Sequence, residues 1–210
     1  MIRDSKIEDI DEIMKLWLAT NIEIHHYIPQ DYWLQNYDAV KEVIQGIIKK
    51  TATETTIETT IETAIETAIE TAKEAAKETA KEAAIAISNE TSNETAIEEV
   101  KETIKEIIHE GVYVYEEKEE VLGFLGCVNN YIAGIFVKKE CRAKGIGKRL
   151  VNYAKDRCDN LALDVYSDNE RAIAFYLREG FQVTTTHVNE DTGFEEYRME
   201  WERSWREMKD

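Results

Sequence analysis

Residues 131–150 read Tyr-Ile-Ala-Gly-Ile-Phe-Val-Lys-Lys-Glu-Cys-Arg-Ala-Lys-Gly-Ile-Gly-Lys-Arg-Leu, and they decide the fold. Tyr131 to Val137 is an apolar run of strand length, and a helix is expected from about Gly145 to Arg157 with Ile146, Leu150, Val151 and Ala154 on its inner side. Between them, Gly145 and Gly147 are bracketed by Arg142, Lys144, Lys148 and Arg149 in an otherwise acidic chain. Glycine lets the backbone approach a ligand closely, and the free N–H groups at a helix start point at an anion. A pyrophosphate is the expected ligand.

Three phosphate motifs compete for this loop. A P-loop has four residues between its glycines and Ser or Thr after Gly-Lys, whereas one residue separates Gly145 from Gly147 and Arg149 follows Lys148. A dinucleotide fingerprint needs a third glycine where Leu150 stands, on a strand that opens the domain. The remaining pattern, Arg142-x-x-Gly145-x-Gly147, resembles the acetyl-CoA motif of the GNAT superfamily of N-acetyltransferases. Residues 169–181, Asn-Glu-Arg-Ala-Ile-Ala-Phe-Tyr-Leu-Arg-Glu-Gly-Phe, resemble the helix and strand that follow in that family, and the two motifs stand in the family's order with a strand between them. The resemblance covers residues 1 to about 47 and 112 to about 202.

The resemblance implies roles residue by residue. Backbone groups of Ile135, Phe136 and Val137 would bond the pantetheine arm of acetyl-CoA, and the loop Arg142, Ala143, Lys144, Gly145, Ile146, Gly147 and Lys148 would hold its pyrophosphate. Asn169 would contact the cofactor, and Tyr176 would protonate the departing thiolate as an amine attacks the thioester. The chemistry makes similar demands on its own account: an amine is mostly ammonium at neutral pH, so a base must take a proton, and a thiolate leaving group benefits from an acid. Tyr, protonated at neutral pH, can be that acid. For the base, His25, His26 and Glu23 lie between the first two expected helices, and His26 is the candidate taken. Competing readings stay open: Tyr176 keeps helical spacing with Ala172 and Phe175 as a core aromatic would, and the histidines also suit a structural loop.

Outward from the motifs, Ile2-Arg3 is a short strand, followed by an amphipathic helix over Ile7 to Leu18. A second helix begins near Asp31 and carries Trp33, Leu34, Tyr37, Val40, Val43 and Ile44 toward a core. Residues 112–115 and 121–128 form a β-hairpin around the polar 116–120. Strands at 161–166, 181–186 and 197–201 and a helix at 169–179 complete an α/β fold of α+β type, a mixed, mostly antiparallel sheet with helices on its faces.

Residues 51–110 are a different kind of sequence, with no Gly, Pro or aromatic residue and five Lys against 15 Glu. Glu recurs every fourth residue from 54 to 82 and again from 90 to 110, an internal repeat. Four residues advance a helix by about 400°, so successive repeats rotate by about 40° and no apolar side is kept. Helix is still the local preference, weakest over 51–63 where Thr and Ile crowd, with a break at Ser88-Asn89 and Ser92-Asn93. This predicts a projecting helical hairpin, or else a repeat expansion tolerated at a surface loop. The expected domains are 1–50 with 111–203, the insertion 51–110 and a tail at 204–210.

The 210 residues carry 26 Lys and Arg against 43 Asp and Glu, a net charge of −17, of which the insertion holds −10. Such an excess speaks against a non-specific grip on nucleic acid or anionic membrane. No apolar run reaches the roughly 20 residues of a membrane span, and the first residues do not lead into a signal-peptide core, so a cytoplasmic location is expected. Cys127, Cys141 and Cys158 fit neither a disulfide scaffold nor a metal site, and no metal is expected. The functional expectation is an acetyl-CoA-dependent N-acetyltransferase acting on a small-molecule or peptide amine, with a homodimer left open. The alternative is a silent GNAT-like scaffold or oligomerisation module built on the insertion.

Overall fold

The computed structural model describes residues 1–79 and 110–204. The chain divides into two compact units, Met1–Lys49 with His109–Asp210, and Lys50–Ile108.

The first unit contains a seven-stranded sheet in the order β1-β2-β3-β4-β5-β7-β6. Its strands are β1 (Ile2–Asp4), β2 (Gly111–Glu117), β3 (Glu120–Val128), β4 (Tyr131–Val137), β5 (Asn160–Tyr166), β6 (Gln182–Val188) and β7 (Glu195–Glu202). The helices are α1 (Ile10–Ile24), α2 (Gln30–Thr79), α3 (Ile146–Lys155) and α4 (Glu170–Arg178). All pairings are antiparallel except β4 with β5, which is parallel. The mixed α+β architecture expected from the sequence is thus the one observed.

Alternation along the strands sends side chains to two cores. Leu161, Leu163 and Val165 of β5 join Met199 and Trp201 of β7 beneath α3 and α4, with Leu150, Val151 and Phe181. On the opposite face Val112, Val114 and Phe124 meet Ile13, Met14 and Trp17 of α1 and Trp33, Ile44 and Ile48 of α2.

Several local expectations are corrected. Ile7 stands in a 3-10 turn, Ile7–Asp9, and is exposed, while α1 continues beyond Leu18 to Ile24 because no breaker precedes His25. Leu34 and Val43 do not face the core: they are 47% and 61% exposed. The inward stripe of α2 is Trp33, Tyr37, Val40, Ile44 and Ile48, and Leu34 and Val43 each sit about 100° off it, next to Trp33 and Ile44. The hairpin connection between β2 and β3 is shorter than 116–120. Lys118 and Glu119 alone make the turn, with φ of 53° and 63°, the left-handed pair that suits the strands' twist.

α2 is a continuous helix through residues 51–63, where the weakest helix was expected. The break at residues 88–93 and the second arm of the hairpin lie outside the described residues, as does all of the tail after 204. Among the described residues no helix is long and apolar enough to cross a membrane.

Candidate functional site

The site begins where the sheet opens. β4 and β5 share a single register pair, Tyr131 with Ala162, secured by the Ala162 N–H bonding the Asn130 carbonyl at 2.9 Å. Beyond that point β4 stays paired with β3, Leu125 opposite Ile135, Phe124 opposite Phe136 and Gly123 opposite Val137, while its other edge has no ladder to β5. The backbone of Ile135, Phe136 and Val137 therefore presents a free strand edge, which is what a pantetheine arm would need. One part of that edge is in use: the Arg142 Nε donates to the Val137 carbonyl at 3.0 Å.

β4 ends in the loop. Lys139–Cys141 form a 3-10 turn, Ala143 takes φ 61° and Gly145 takes φ 83° as the N-cap of α3. The first bond closing α3 runs from the Arg149 N–H to the Gly145 carbonyl at 3.1 Å, so the N–H groups of Ile146, Gly147 and Lys148 are the unpaired donors of its first turn. Gly145 is required by its conformation. At Gly147 a Cβ would stand 3.4 Å from the Phe175 ring of α4, an ordinary van der Waals contact, so the fold alone does not demand glycine there. The positive helix end, the unpaired donors and the basic side chains fit a diphosphate.

α4 follows β5 and is capped by Asn169, whose Oδ1 accepts from the Ala172 N–H at 3.2 Å. That cap commits the carbonyl and leaves the amide NH2 for a ligand. Tyr176 sits under α4 with its ring against Phe175 and Phe181, centroids 5.1 and 5.6 Å away. Burial, aided by neighbouring Tyr131, raises its phenol above the ordinary range, so the hydroxyl stays protonated. Among the described residues that hydroxyl has no hydrogen-bond partner. Tyr176 is thus a core aromatic by its ring and a free donor by its oxygen.

On the other face, the segment after α1 is aromatic. The His25 Nδ1 and Tyr27 hydroxyl are 2.8 Å apart, and His25 lies 5.0 Å from the Tyr166 ring and 5.6 Å from Trp33. Burial, then the charge of His26, pushes His25 down to about 4, so it is neutral at pH 7 and a weak base. His26 is exposed, edge-on to Tyr27 at 5.7 Å. Glu23, the third residue of that segment, pairs with Lys139 and Arg142.

A group the sequence did not reveal lies on this face of β5, β6 and β7. Asp164 meets Arg198 at 2.8 Å and accepts from the Tyr131 hydroxyl at 3.1 Å, while His187 lies 3.4 Å from Glu196. Asp164, His187 and Glu196 have ligand atoms within 4.8 Å of one another, the spacing of a metal site, but the Arg198 guanidinium already supplies the cation there. The available signal was the lone carboxylate at alternate position 164 in Leu-Ala-Leu-Asp-Val-Tyr, whose partners only the strand order identifies.

A mixed sheet split beside its fourth strand, with a glycine loop at the head of the next helix and a buried tyrosine nearby, is the arrangement of an acyl-CoA N-acyltransferase-like fold. Residues 81–181 match the model of the acetyltransferase (GNAT) family. The chain is 33% identical over 90 residues to peptidyl-lysine N-acetyltransferase YiaC of Escherichia coli, 42% of this chain and 62% of that one. It is 31% identical over 77 residues to peptidyl-lysine N-acetyltransferase YjaB of Salmonella typhimurium, 37% of this chain and 53% of that one. The matched segment therefore spans less than two thirds of either relative. The solution structure of apo YjaB from Escherichia coli superposes with a TM-score of 0.58 over 96% of each chain at 17% identity, a likeness of fold. Motifs, sheet and relatives agree in their likeness to the acetyltransferase (GNAT) family.

Proposed function

We propose that this protein is an acetyl-CoA-dependent N-acetyltransferase that delivers acetyl to a primary amine by direct attack with both substrates bound. The observation that carries the reading is the opening between β4 and β5, with the unpaired N–H groups of α3 at the mouth. Bound there, acetyl-CoA would supply the thioester carbonyl as electrophile. Ile135, Phe136 and Val137 would align its arm along the free edge of β4, and residues 143–148 would hold the diphosphate through backbone N–H groups and the helix dipole. Tyr176, protonated and without a hydrogen-bond partner among the described residues, donates a proton to the leaving thiolate.

The acceptor side lies at the aromatic segment 25–27. His25 is too weak a base, and Asp164 is held by Arg198 and Tyr131, so exposed His26 is the base we retain. The acceptor we propose is an amine of a peptide, a lysine side chain in the first instance. The relatives named as peptidyl-lysine N-acetyltransferases support this, and an acidic protein draws cationic acceptors toward it. The location we propose is cytoplasmic, and the functional domain comprises residues 1–50 and 111–203.

Calorimetric titration with acetyl-CoA and CoA tests the reading, followed by thiol release in the presence of a lysine-containing peptide. Saturable binding is expected, and Gly147→Glu should abolish it by placing a carboxylate where the diphosphate belongs. A folded chain that binds neither ligand overturns the reading and returns the domain to a scaffold role.

A further inference from the structure

Glu23 stands in the last turn of α1, two residues before His25. Its Oε1 is 2.9 Å from the Lys139 Nζ and its Oε2 is 3.2 Å from the Arg142 Nη1. Both cations belong to the loop that leads from β4 into α3, so one carboxylate spans from the acceptor-side segment to the phosphate loop. The pairs lie on the wall of a cavity of about 410 Å³ lined by Lys15, Leu16, Thr20, Glu23, Lys139 and Arg142 among others. A shifted Lys139 or Glu23 side chain has room there. The two cations are held differently. Arg142 is largely covered, with 15% of its side chain exposed, and is fixed by its bond to the Val137 carbonyl; Lys139 is 74% exposed and free to swing.

We propose that Glu23 is an internal stand-in for the cofactor's phosphate, a positioning residue that reports cofactor occupancy to the acceptor segment. This rests on the cofactor reading above. A diphosphate carries more charge than one carboxylate, and it docks on N–H groups that Glu23 does not reach. It therefore draws the exposed Lys139 away from Glu23 and competes with Glu23 for the Arg142 Nη1, and the last turn of α1 loses its tether. The His25 N–H to Asn21 carbonyl bond at 2.9 Å closes this turn, and the Ile28 N–H to His25 carbonyl bond at 2.9 Å closes the one after it. His25 in turn orients Tyr27 and lies beside Trp33. Cofactor binding thereby loosens the acceptor side before the amine arrives.

The test uses the full chain with CoA as probe. Exposed ion pairs of this kind are worth a factor of about 1.5 to 5 each, so Glu23→Gln should bind CoA about 3- to 10-fold more tightly at low salt. The gain should shrink near 0.5 M salt, where the Debye length falls to about 4 Å and exposed pairs are screened. Glu23→Asp, which keeps the charge, should restore wild-type affinity. Hydrogen exchange at residues 24–28 should quicken on CoA addition in the wild type, and in Glu23→Gln should already be fast and unresponsive. Equal or weaker CoA binding by Glu23→Gln, or exchange in the wild type that ignores CoA, overturns the inference while leaving the cofactor reading intact. No CoA binding by the wild type overturns the cofactor reading, and this inference with it.

Discussion

Replacing Tyr176 with Phe separates the two things this residue does. The ring contacts with Phe175 and Phe181 survive, at centroid distances of 5.1 and 5.6 Å, so packing is conserved. The hydroxyl makes no hydrogen bond among the described residues, in a residue 7% exposed, and it is not one of the fully buried polar atoms left without a partner, so its loss breaks no bond. Folding stability should therefore stay level or rise by up to about 1 kcal/mol, measured by urea denaturation. Turnover should fall about 100-fold, near the lower end of what a positioned acid contributes, which corresponds to about 2.7 kcal/mol of barrier. CoA affinity by calorimetry should not move. The pH profile adds a second check: burial places this phenol above its ordinary range, so wild-type kcat should show no alkaline loss from this group below about pH 10. An unchanged kcat in Tyr176→Phe, with thiol release followed at saturating acetyl-CoA, would refute the assignment.

His25 makes stability depend on pH in a defined direction. Its pKa drops from 6.5 to about 4 on folding, so the unfolded chain binds more protons between those values and stability is lost as pH falls through that window. Glu23 and Asp9, held below the ordinary carboxylate range, act the same way at lower pH, so the comparison must be with His25→Gln. The variant should lose about 2 kcal/mol less than the wild type between pH 7 and pH 5, in paired urea melts; parallel pH dependences would rule out the buried, neutral imidazole. In the repeat, exchanging Thr55, Thr56, Thr59 and Thr60 for Val keeps the β-branch at nearly equal helix propensity and deletes four hydroxyls. Helical signal in circular dichroism should fall and amide exchange over residues 51–63 should quicken, and a variant as protected as the wild type would show that those hydroxyl bonds contribute nothing.

The chemistry-bearing half of the fold was legible because its signals are local. Strand, glycine loop and helix succeed one another within residues 131–157, and the special backbone at Gly145 is written in its residue type. The helix that Asn169 opens and that carries Tyr176 was legible for the same reason, although the bond from the Ala172 N–H to the Asn169 Oδ1 was not. What was not legible depends on which strands become neighbours. Asp164 and Arg198 are 34 positions apart, and only the insertion of β7 between β5 and β6 makes them opposite. Glu23 and Arg142 likewise meet only when α1 has packed on its face of the sheet. Leu34 and Val43 were misplaced for a smaller reason. An apolar residue beside a helical stripe looks like part of it until the 100° step per residue is applied strictly.

The repeat shows how a rule correct in itself can point the wrong way. Thr and Ile are stiff at χ1, which argued for the weakest helix at residues 51–63, yet α2 runs through them without interruption. The reason lies in the period. Threonine spaced by four places each hydroxyl over the carbonyl of the preceding turn: Thr55 bonds Thr51, Thr59 bonds Thr55, Thr63 bonds Thr59 and Thr67 bonds Thr63, at 2.7 to 2.9 Å. A parallel row joins Thr56 to Ala52 and Thr60 to Thr56, at 2.8 and 2.7 Å. In most helices a back-bonding hydroxyl is a minor distortion. Here it recurs at every turn, which satisfies side chains that would otherwise compete for the backbone. The four-residue period that denies this helix an apolar stripe, leaving Ile57 53% exposed, is the same period that aligns its hydroxyls. Over its described residues, a helix segment of this composition is held by local terms rather than by a surface it must cover.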